Sequence, residues 1–149
     1  MRCVIQRVSE ASVTVNGDVV GAIGTGLLVY LCVDHEDSET DTTYLVDKVR
    51  RIRIFEDESG QMNRDVVQAG GAVLLVSAFS LQADARKGRR PSFAAAASPE
   101  AARPVYEQFA ERLTATGVPV EFGRFGAMME VHSVNDGPIC ILIESKRAF

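Results

Sequence analysis

Alternation of apolar and polar residues dominates the first third of the chain and predicts β-structure there. Residues 4–8 and 11–15 both show the period of two that is typical of strands. Asn16 and Gly17 both tolerate a positive φ, so this pair predicts a tight hairpin turn before residues 19–23. Residues 27–33 are almost uniformly apolar, which predicts a strand that is buried on both faces.

Two later segments change to helical spacing. Ser38 is a hydroxyl cap, and acidic residues occupy the first turn after it, so a helix is predicted from this point. Ser98 and Pro99 predict the start of a second helix, in which apolar residues at 105, 109 and 113 form one buried stripe. Gly117 is expected to end it.

Short apolar runs complete the pattern. They predict strands at residues 52–55, 72–79, 120–122, 128–134 and 139–143. Residues 135–138, Asn-Asp-Gly-Pro, are expected to form a turn between the last two strands. Strands outnumber helices and hairpins are prominent. The fold class is therefore predicted as α+β, a single domain over residues 1–149. A curved, barrel-like, mostly antiparallel or mixed sheet would pack with two to three helices.

Composition narrows the class of protein. The 149 residues are 46% apolar and carry a net charge of −4, which is ordinary for a globular domain and excludes a globally basic nucleic-acid binder. No apolar run approaches the length of a membrane span, and no signal peptide is evident, so we expect a cytoplasmic protein. Cys3, Cys32 and Cys140 are widely spaced in apolar contexts, which argues against disulfides and zinc and predicts small buried side chains.

The charge is unevenly distributed, and one basic loop stands out. Residues 82–97 are predicted to form a long loop, within which Arg86, Lys87, Arg89 and Arg90 lie together. This loop directly follows the apolar run 73–81, whose end is predicted to be a strand end. Because sites are often built beside strand ends, the pair of features indicates an anionic ligand, and more specifically a nucleic-acid ester.

Ser77 and Ser80 lie at that strand end and allow three interpretations. Ser80 could be a nucleophile, which needs a nearby base, and the chain has only His35 and His132. Alternatively, the backbone amides of Phe79 and Ser80 could bind a developing oxyanion while a water or a substrate hydroxyl attacks. The serines could also simply end a strand. No G-x-S-x-G motif is present, which argues against a hydrolase-fold triad.

Other candidates are weaker by themselves. Phe125 is flanked by Gly123 and Gly126 and could stack on a base or belong to the core. The Gly137-Pro138 bond is one of the few that adopt the cis form at low cost, although an ordinary turn explains it equally well. His35 lies among acidic residues without a spaced partner for a metal.

Taken in order along the whole chain, these segments resemble the D-aminoacyl-tRNA deacylases. The matching stretches are residues 1–8, 53–57, 85–93, 123–129 and 135–138. The resemblance implies hydrolysis of the ester that joins a D-amino acid, or glycine, to the 3′ adenosine of tRNA, as chiral proofreading in translation. It also implies a homodimer with active sites at the subunit interface, with no cofactor and no metal.

The family's two motifs are present with departures. The pattern S-Q-F-T-L appears as Ser77-Ala78-Phe79-Ser80-Leu81, so alanine replaces glutamine and serine keeps the hydroxyl of threonine. The pattern G-P-x-T appears as Gly137-Pro138-Ile139-Cys140, so a thiol replaces a hydroxyl. In the family the Gly-Pro bond is cis and projects into the partner's site, where it excludes L-amino acids.

The resemblance assigns roles to named residues. Ser77, Ala78, Phe79 and Ser80 would form the catalytic segment, and Phe125 and Met129 would line the adenosine pocket. Gly137 and Pro138 of the second subunit would select chirality. Arg86, Lys87, Arg89 and Arg90 would contact tRNA phosphates. Two alternatives remain, namely a tRNA-binding module with weakened catalysis, and a thioesterase that uses Cys140 as nucleophile.

Overall fold

The computed structural model describes residues 1–149 and contains eight strands, two α-helices and one 3₁₀ helix. The strands are β1 (Arg2–Val15), β2 (Asp18–Ile23), β3 (Gly26–Cys32), β4 (Phe55–Glu56), β5 (Met62–Arg64), β6 (Ala72–Ser77), β7 (Val120–Phe122) and β8 (Glu130–Glu144). The helices are α1 (Glu39–Arg51), α2 (Pro99–Ala115) and the 3₁₀ helix Phe79–Gln82. Neither α-helix combines the length and the hydropathy that a bilayer-spanning segment requires.

Six strands form one mixed sheet in the order β2-β1-β3-β6-β7, with β8 paired to β1 on its other side. The pairs β3–β6 and β6–β7 are parallel, whereas β1 pairs antiparallel with β2, β3 and β8. The sheet curves until β2 approaches β7, where a Cβ on Gly21 would clash with the Phe122 carbonyl oxygen. The predicted α+β class with a barrel-like mixed sheet is therefore confirmed.

The hairpin and both helices form where the sequence predicted them. Asn16 and Gly17 have φ values of 50° and 84° and connect β1 to β2. Ser38 caps α1, and its backbone N–H donates to Asp41 Oδ2 at 2.8 Å. The Ser98 hydroxyl accepts from the Ala101 amide at the start of α2. The core lies between the sheet and the two helices, and Phe109 and Leu113 of α2 are fully buried in it.

Four details of the prediction are wrong. Residues 135–138 do not separate two strands, because β8 runs continuously from Glu130 to Glu144 and accommodates them as an irregularity in its register with β1. We call residues 135–138 the Gly-Pro bulge. The predicted strand 52–55 shrinks because Ile52 is still the C-cap of α1. The strand predicted to reach Phe79 ends at Ser77, where the chain turns into the 3₁₀ helix.

Cys140 is the fourth correction. Cys3 and Cys32 are buried as expected, but the Cys140 side chain is exposed. It lies on β8, which pairs only with β1, so its other edge has no strand partner within the chain. Val134 and Leu142 of the same strand are also exposed, at 50% and 57%.

Candidate functional site

The parallel pairing of β3 with β6 creates the site. Leu31 pairs with Ser77, so the carboxyl ends of both strands meet at the same edge of the sheet, where open sheets commonly bind ligands. A cleft of about 630 Å³ opens at this edge. It is bordered by residues 30–33, 76–80 and 125–129, by Phe93, and by the first turns of α2. We call it the apolar cleft, because nearly all of its lining side chains are hydrophobic.

The wall of the cleft formed by residues 77–80 presents unpaired backbone donors. The Ala78 amide donates to the Leu31 carbonyl oxygen at 2.8 Å, which fixes the chain after β6. The next two amides, those of Phe79 and Ser80, begin the 3₁₀ helix and have no acceptor within the chain. Two adjacent N–H groups beside an open cleft are the arrangement that stabilises a developing oxyanion.

The Ser80 hydroxyl is exposed and forms no hydrogen bond with the rest of the chain. No histidine, aspartate, glutamate, lysine or arginine lines the apolar cleft. His35 lies outside it, with Nδ1 3.0 Å from the Ala95 carbonyl oxygen, and His132 is exposed on β8. No group of three or more His, Cys, Asp or Glu side chains is arranged to hold a metal ion. No side chain of this chain that lines the cleft is therefore a candidate general base for a serine nucleophile.

Aromatic rings form two opposite parts of the cleft. Phe79 and Phe93 meet edge to face, with centroids 5.1 Å apart, and Phe79 remains 62% exposed. Phe125 packs at 5.4 Å against Tyr106, and the Arg103 guanidinium lies 4.7 Å from the Phe125 centroid. An exposed ring edge and a ring backed by a cation suit the face of a flat, electron-rich group such as a nucleobase.

Met129 lies beside Phe125 in the cleft for a simple packing reason. A Cβ on Gly123 would come within 2.8 Å of the Met129 sulfur, so glycine leaves room for this side chain in its present position. Tyr106 is fixed from behind, because its hydroxyl donates to the Leu75 carbonyl oxygen at 3.1 Å. Burial raises the pKa of this phenol, so Tyr106 stays neutral and acts as a donor.

Cys32 is a cleft residue that the sequence did not single out. Its thiol lies 3.4 Å from the Phe79 carbonyl oxygen and 3.6 Å from that of Val33. Burial raises the pKa of the Cys32 thiol to about 11, so at neutral pH it is a protonated donor and not a nucleophile. The thiol therefore helps to hold the first turn of the 3₁₀ helix.

One of the four cations of the basic loop, Arg86, is already bound to a carboxylate of the chain. Arg86 makes a two-pronged contact with Asp84, at 2.9 Å to Oδ1 and 2.7 Å to Oδ2. The hydrogen bonds from Arg86 hold the pKa of Asp84 well below its usual range. Lys87, Arg89 and Arg90 are exposed and form no ion pair within the chain. Three of the four predicted cations are thus free to meet an external anion.

The structure does not bring Gly137 and Pro138 to the apolar cleft of their own chain. Both are exposed in the Gly-Pro bulge, and the peptide bond between them is cis. The bulge is held from below by Arg7, a nearly buried side chain of β1. Its Nε donates to the Asp136 carbonyl oxygen at 3.2 Å, and its Nη1 donates to the Ile54 carbonyl oxygen at 2.8 Å.

Arg7 was not among the site residues predicted from the sequence, although the apolar–polar alternation of β1 pointed to it. It shares the inward face of β1 with Cys3 and Ile5, a register position where apolar residues are expected. A charged residue at such a position normally has a specific partner, and here the partners are two backbone carbonyl groups. The partners lie 47 and 129 residues away in sequence, so only the fold identifies them.

Comparison with known proteins gives a consistent result. Residues 4–144 match the family model described as D-Tyr-tRNA(Tyr) deacylase. The D-aminoacyl-tRNA deacylase of Symbiobacterium thermophilum is 56% identical over 149 residues, which cover 100% of this chain and 99% of the relative. The protein of the same name from Thermus aquaticus is 56% identical over 145 residues, covering 97% and 95% of the two chains.

Solved structures agree in fold. The c-Myc DNA unwinding element binding protein superposes with a TM-score of 0.91 at 40% identity, covering 97% of this chain and 98% of the other. A probable eukaryotic D-amino acid tRNA deacylase superposes with a TM-score of 0.80 over 96% and 98% of the chains. Its identity of 17% shows a shared fold only.

Proposed function

The chain belongs to the D-Tyr-tRNA(Tyr) deacylase family, and from this premise we propose that it hydrolyses the ester between a D-amino acid and the 3′-terminal adenosine of tRNA. It is an enzyme, a carboxylic ester hydrolase, and aminoacylated tRNA is its partner. The reaction removes D-amino acids before they enter translation, which takes place in the cytoplasm. Glycine, which has no side chain, would pass the same filter.

One observation carries the mechanism. The apolar cleft combines two unpaired amides, those of Phe79 and Ser80, with the complete absence of an ionisable side chain that could act as a base. The amides would hold the ester carbonyl oxygen as it becomes negative, which is usually the largest single term in acyl transfer. The attacking water would be positioned by the Ser80 hydroxyl or by the 2′-hydroxyl of the terminal ribose.

Ser77 and Ala78 support this segment from the strand side. The bond from the Ala78 amide to Leu31 fixes the turn that exposes the next two amides. Ala78 also lacks the side-chain donor and acceptor of the family's glutamine. If that amide only supports the pocket, its loss costs about 0.5–1.5 kcal/mol for each missing hydrogen bond. We therefore expect a slower enzyme with the same chemistry.

The adenosine of the substrate would lie against Phe125 and Met129. Phe125 is backed by Tyr106 and by the Arg103 guanidinium, so its ring is held in place without filling the cleft. Base stacking on an aromatic side chain contributes about 1–3 kcal/mol and tolerates the variable sequence context of different tRNAs. Phosphates of the tRNA would meet Lys87, Arg89 and Arg90, and Arg86 would join them if it leaves Asp84.

Gly137 and Pro138 would act on the cleft of a second subunit in a homodimer. In support, both residues are exposed and lie outside the cleft of their own chain. The free edge of β8 offers backbone donors and acceptors to a second copy, and exposed Val134 and Leu142 on the same strand offer it apolar contacts. The backbone of the Gly-Pro bulge would then occupy the space that an L side chain needs.

Single-turnover hydrolysis of matched D-Tyr-tRNA and L-Tyr-tRNA by the purified protein tests this function. We expect rapid release of tyrosine from the D ester alone. Release from neither ester, with tRNA binding intact, would instead identify a catalytically weakened tRNA-binding module in which Ala78 and Cys140 mark a degenerate site. Equal release from both esters would contradict the chiral role of Gly137 and Pro138.

Cys140→Ser is the matched control for a thiol mechanism. Cys140 is exposed on β8 and does not line the apolar cleft of its own chain, so the variant should retain full turnover. A loss of turnover greater than about 10³-fold would favour the cysteine-dependent thioesterase instead.

A further inference from the structure

A second, polar cavity opens beside the two α-helices, separate from the apolar cleft. It has a volume of about 810 Å³ and is lined by side chains of α1, of the turn after β5, and of the end of α2. Four guanidinium groups border it, those of Arg50, Arg51, Arg53 and Arg112. Val46 is its one apolar lining residue. We call it the arginine cleft.

The charge of the arginine cleft is opposite to that of the whole protein. Asp47 and Asp65 line it beside the four arginines, and Glu39 binds Arg112 from outside the lining, which leaves a formal excess of one positive charge in a chain of net charge −4. Such a local concentration of cations within an acidic surface attracts an anion to one place.

The arginines differ in how far they are already engaged. Arg50 is bound to Asp65 at 2.8 Å, with only 22% of its side chain exposed, so it is a fixed part of the wall. Arg112 is held by Glu39 and by the Thr43 hydroxyl. Arg51 contacts Asp47 at 2.8 Å, but both side chains are more than half exposed, so this pair is weak.

Arg53 is the most available cation of the cleft. It is exposed and forms no ion pair within the chain. Together with Arg51, whose pairing with Asp47 is weak, it can present two guanidinium groups to one ligand. Guanidinium groups bind phosphate through two parallel N–H donors, a geometry that the single ammonium group of a lysine cannot reproduce.

The distance between the two clefts along α2 indicates which part of a bound tRNA could reach the arginine cleft. Ala102, near the start of α2, lines the apolar cleft, whereas Arg112 of the same helix lines the arginine cleft. Ten helical residues span about 15 Å at 1.5 Å per residue. Where the unpaired 3′ nucleotides stack as they would in a duplex strand, at about 3.4 Å each, this distance corresponds to four or five of them.

We propose that the arginine cleft binds phosphodiester groups of the tRNA acceptor stem while the 3′ adenosine occupies the apolar cleft. This inference rests on the proposed function and adds to it a second anchor, separate from the basic loop 86–90. Four to five nucleotides from the 3′ end, the strand is entering the paired stem. The contacts would therefore read the backbone and not the sequence, so one enzyme can accept many tRNAs.

The test compares two double variants with the same change in net charge. The first is Arg51→Gln with Arg53→Gln, within the cleft. The control is Arg64→Gln with Lys146→Gln, because half-buried Arg64 contacts Glu58, exposed Lys146 contacts Glu36, and neither lines the cleft. All four positions are partly or fully exposed, so both proteins should fold, which urea unfolding verifies.

Two substrates and one binding probe separate the outcomes. On D-Tyr-tRNA, the cleft variant should show a KM raised about 5- to 20-fold and a salt slope of log KM reduced by about 1 to 2, with kcat nearly constant. On D-tyrosyl-adenosine, which has no phosphate, it should match the control. The anisotropy of a labelled, unacylated acceptor-stem hairpin should show the same loss of affinity.

The hairpin measurement keeps this inference separable from the proposed hydrolysis. If the wild-type protein hydrolyses neither substrate, the proposed function fails, yet weaker hairpin binding by the cleft variant would still support an RNA-backbone site. Equal hairpin binding by the cleft and control variants overturns the inference. The inference is also overturned if the cleft variant binds the RNA hairpin as the wild type does, while millimolar inorganic phosphate or polyglutamate binds the wild type better than the variant. Binding of phosphate would then indicate a site for a free anion, and binding of polyglutamate a site for an acidic peptide.

Discussion

Replacing Arg7 by methionine tests how the Gly-Pro bulge is held in place. Methionine keeps most of the aliphatic packing of the side chain but removes its charge and every donor. Two backbone carbonyl oxygens then lose their partner, that of Ile54 in the interior and that of Asp136 in the bulge. The bulge would remain attached to the body of the sheet through the pairing of β8 with β1 on either side.

The expected loss in the free energy of unfolding follows from the two hydrogen bonds that Arg7 donates. A hydrogen bond from a charged donor contributes about 1.5–3 kcal/mol, and an orphaned buried acceptor costs about 1–3 kcal/mol. The hydrogen bond to the Ile54 carbonyl oxygen is buried, so its contribution should lie within the first of these ranges. The hydrogen bond to the Asp136 carbonyl oxygen is only partly buried and should contribute less. The contact with the Asp136 carboxylate, 3.3 Å long and 58% exposed on the acid side, adds little. We expect a loss of about 3 kcal/mol in the free energy of unfolding.

Urea unfolding of the wild type and the variant measures this loss, and the melting temperature should fall by about 6–12 °C. Arg7→Lys should give an intermediate value, because an ammonium group cannot reach both carbonyl oxygens as a fork does. Arg64→Met is the surface control and should change stability by less than about 0.5 kcal/mol. A destabilisation by Arg7→Met below about 1 kcal/mol would refute the reasoning from these bonds.

The same variant has a functional readout. If Gly137 and Pro138 exclude L side chains, loosening the bulge should lower the ratio of D-Tyr-tRNA to L-Tyr-tRNA hydrolysis by at least about tenfold, equivalent to 1.4 kcal/mol. An unchanged ratio in a destabilised but folded variant would show that Arg7 stabilises the sheet without positioning the filter.

Three further outcomes are expected. Ser80→Ala should lower the single-turnover rate about 10- to 100-fold, and a loss above about 10⁴-fold would show that Ser80 is a nucleophile after all. Tyr106→Phe removes the hydroxyl that donates to the Leu75 carbonyl oxygen and should cost about 1–2 kcal/mol in urea unfolding, with an unchanged stability contradicting that assignment. Finally, burial alone would raise the pKa of Asp41, but hydrogen bonds from Ser145 and Ser38 outweigh it and lower the pKa from its ordinary 3.8 to about 2. A lowered carboxyl pKa stabilises the folded state above the unfolded pKa, so this contribution is complete above about pH 4 and is lost as the pH falls through about 2. Asp41→Asn should reduce the steepness of acid unfolding in that range, and an unaltered profile would argue against it.

The local elements and the order of the motifs could be predicted from the amino-acid sequence alone. The Asn16-Gly17 turn, the cap at Ser38 and the Ser98-Pro99 start depend on neighbouring residues, so short-range chemistry was enough to predict them. Ser77–Ser80 and the basic loop were identified as a candidate site for the same reason. The family resemblance rests on short stretches of consecutive residues, which can be compared without knowing the fold.

Contacts between groups that are distant in sequence became visible only in the folded chain. Sequence predicted a turn at residues 135–138, because Asn, Asp, Gly and Pro all favour one, but pairing with β1 draws both flanks into one strand. The partners of Arg7, the free amides of Phe79 and Ser80, and the joining of Arg53 with Arg112 all depend on chain segments far apart in sequence. Burial and hydrogen-bond satisfaction are properties of the whole packed chain, and no local pattern encodes them completely.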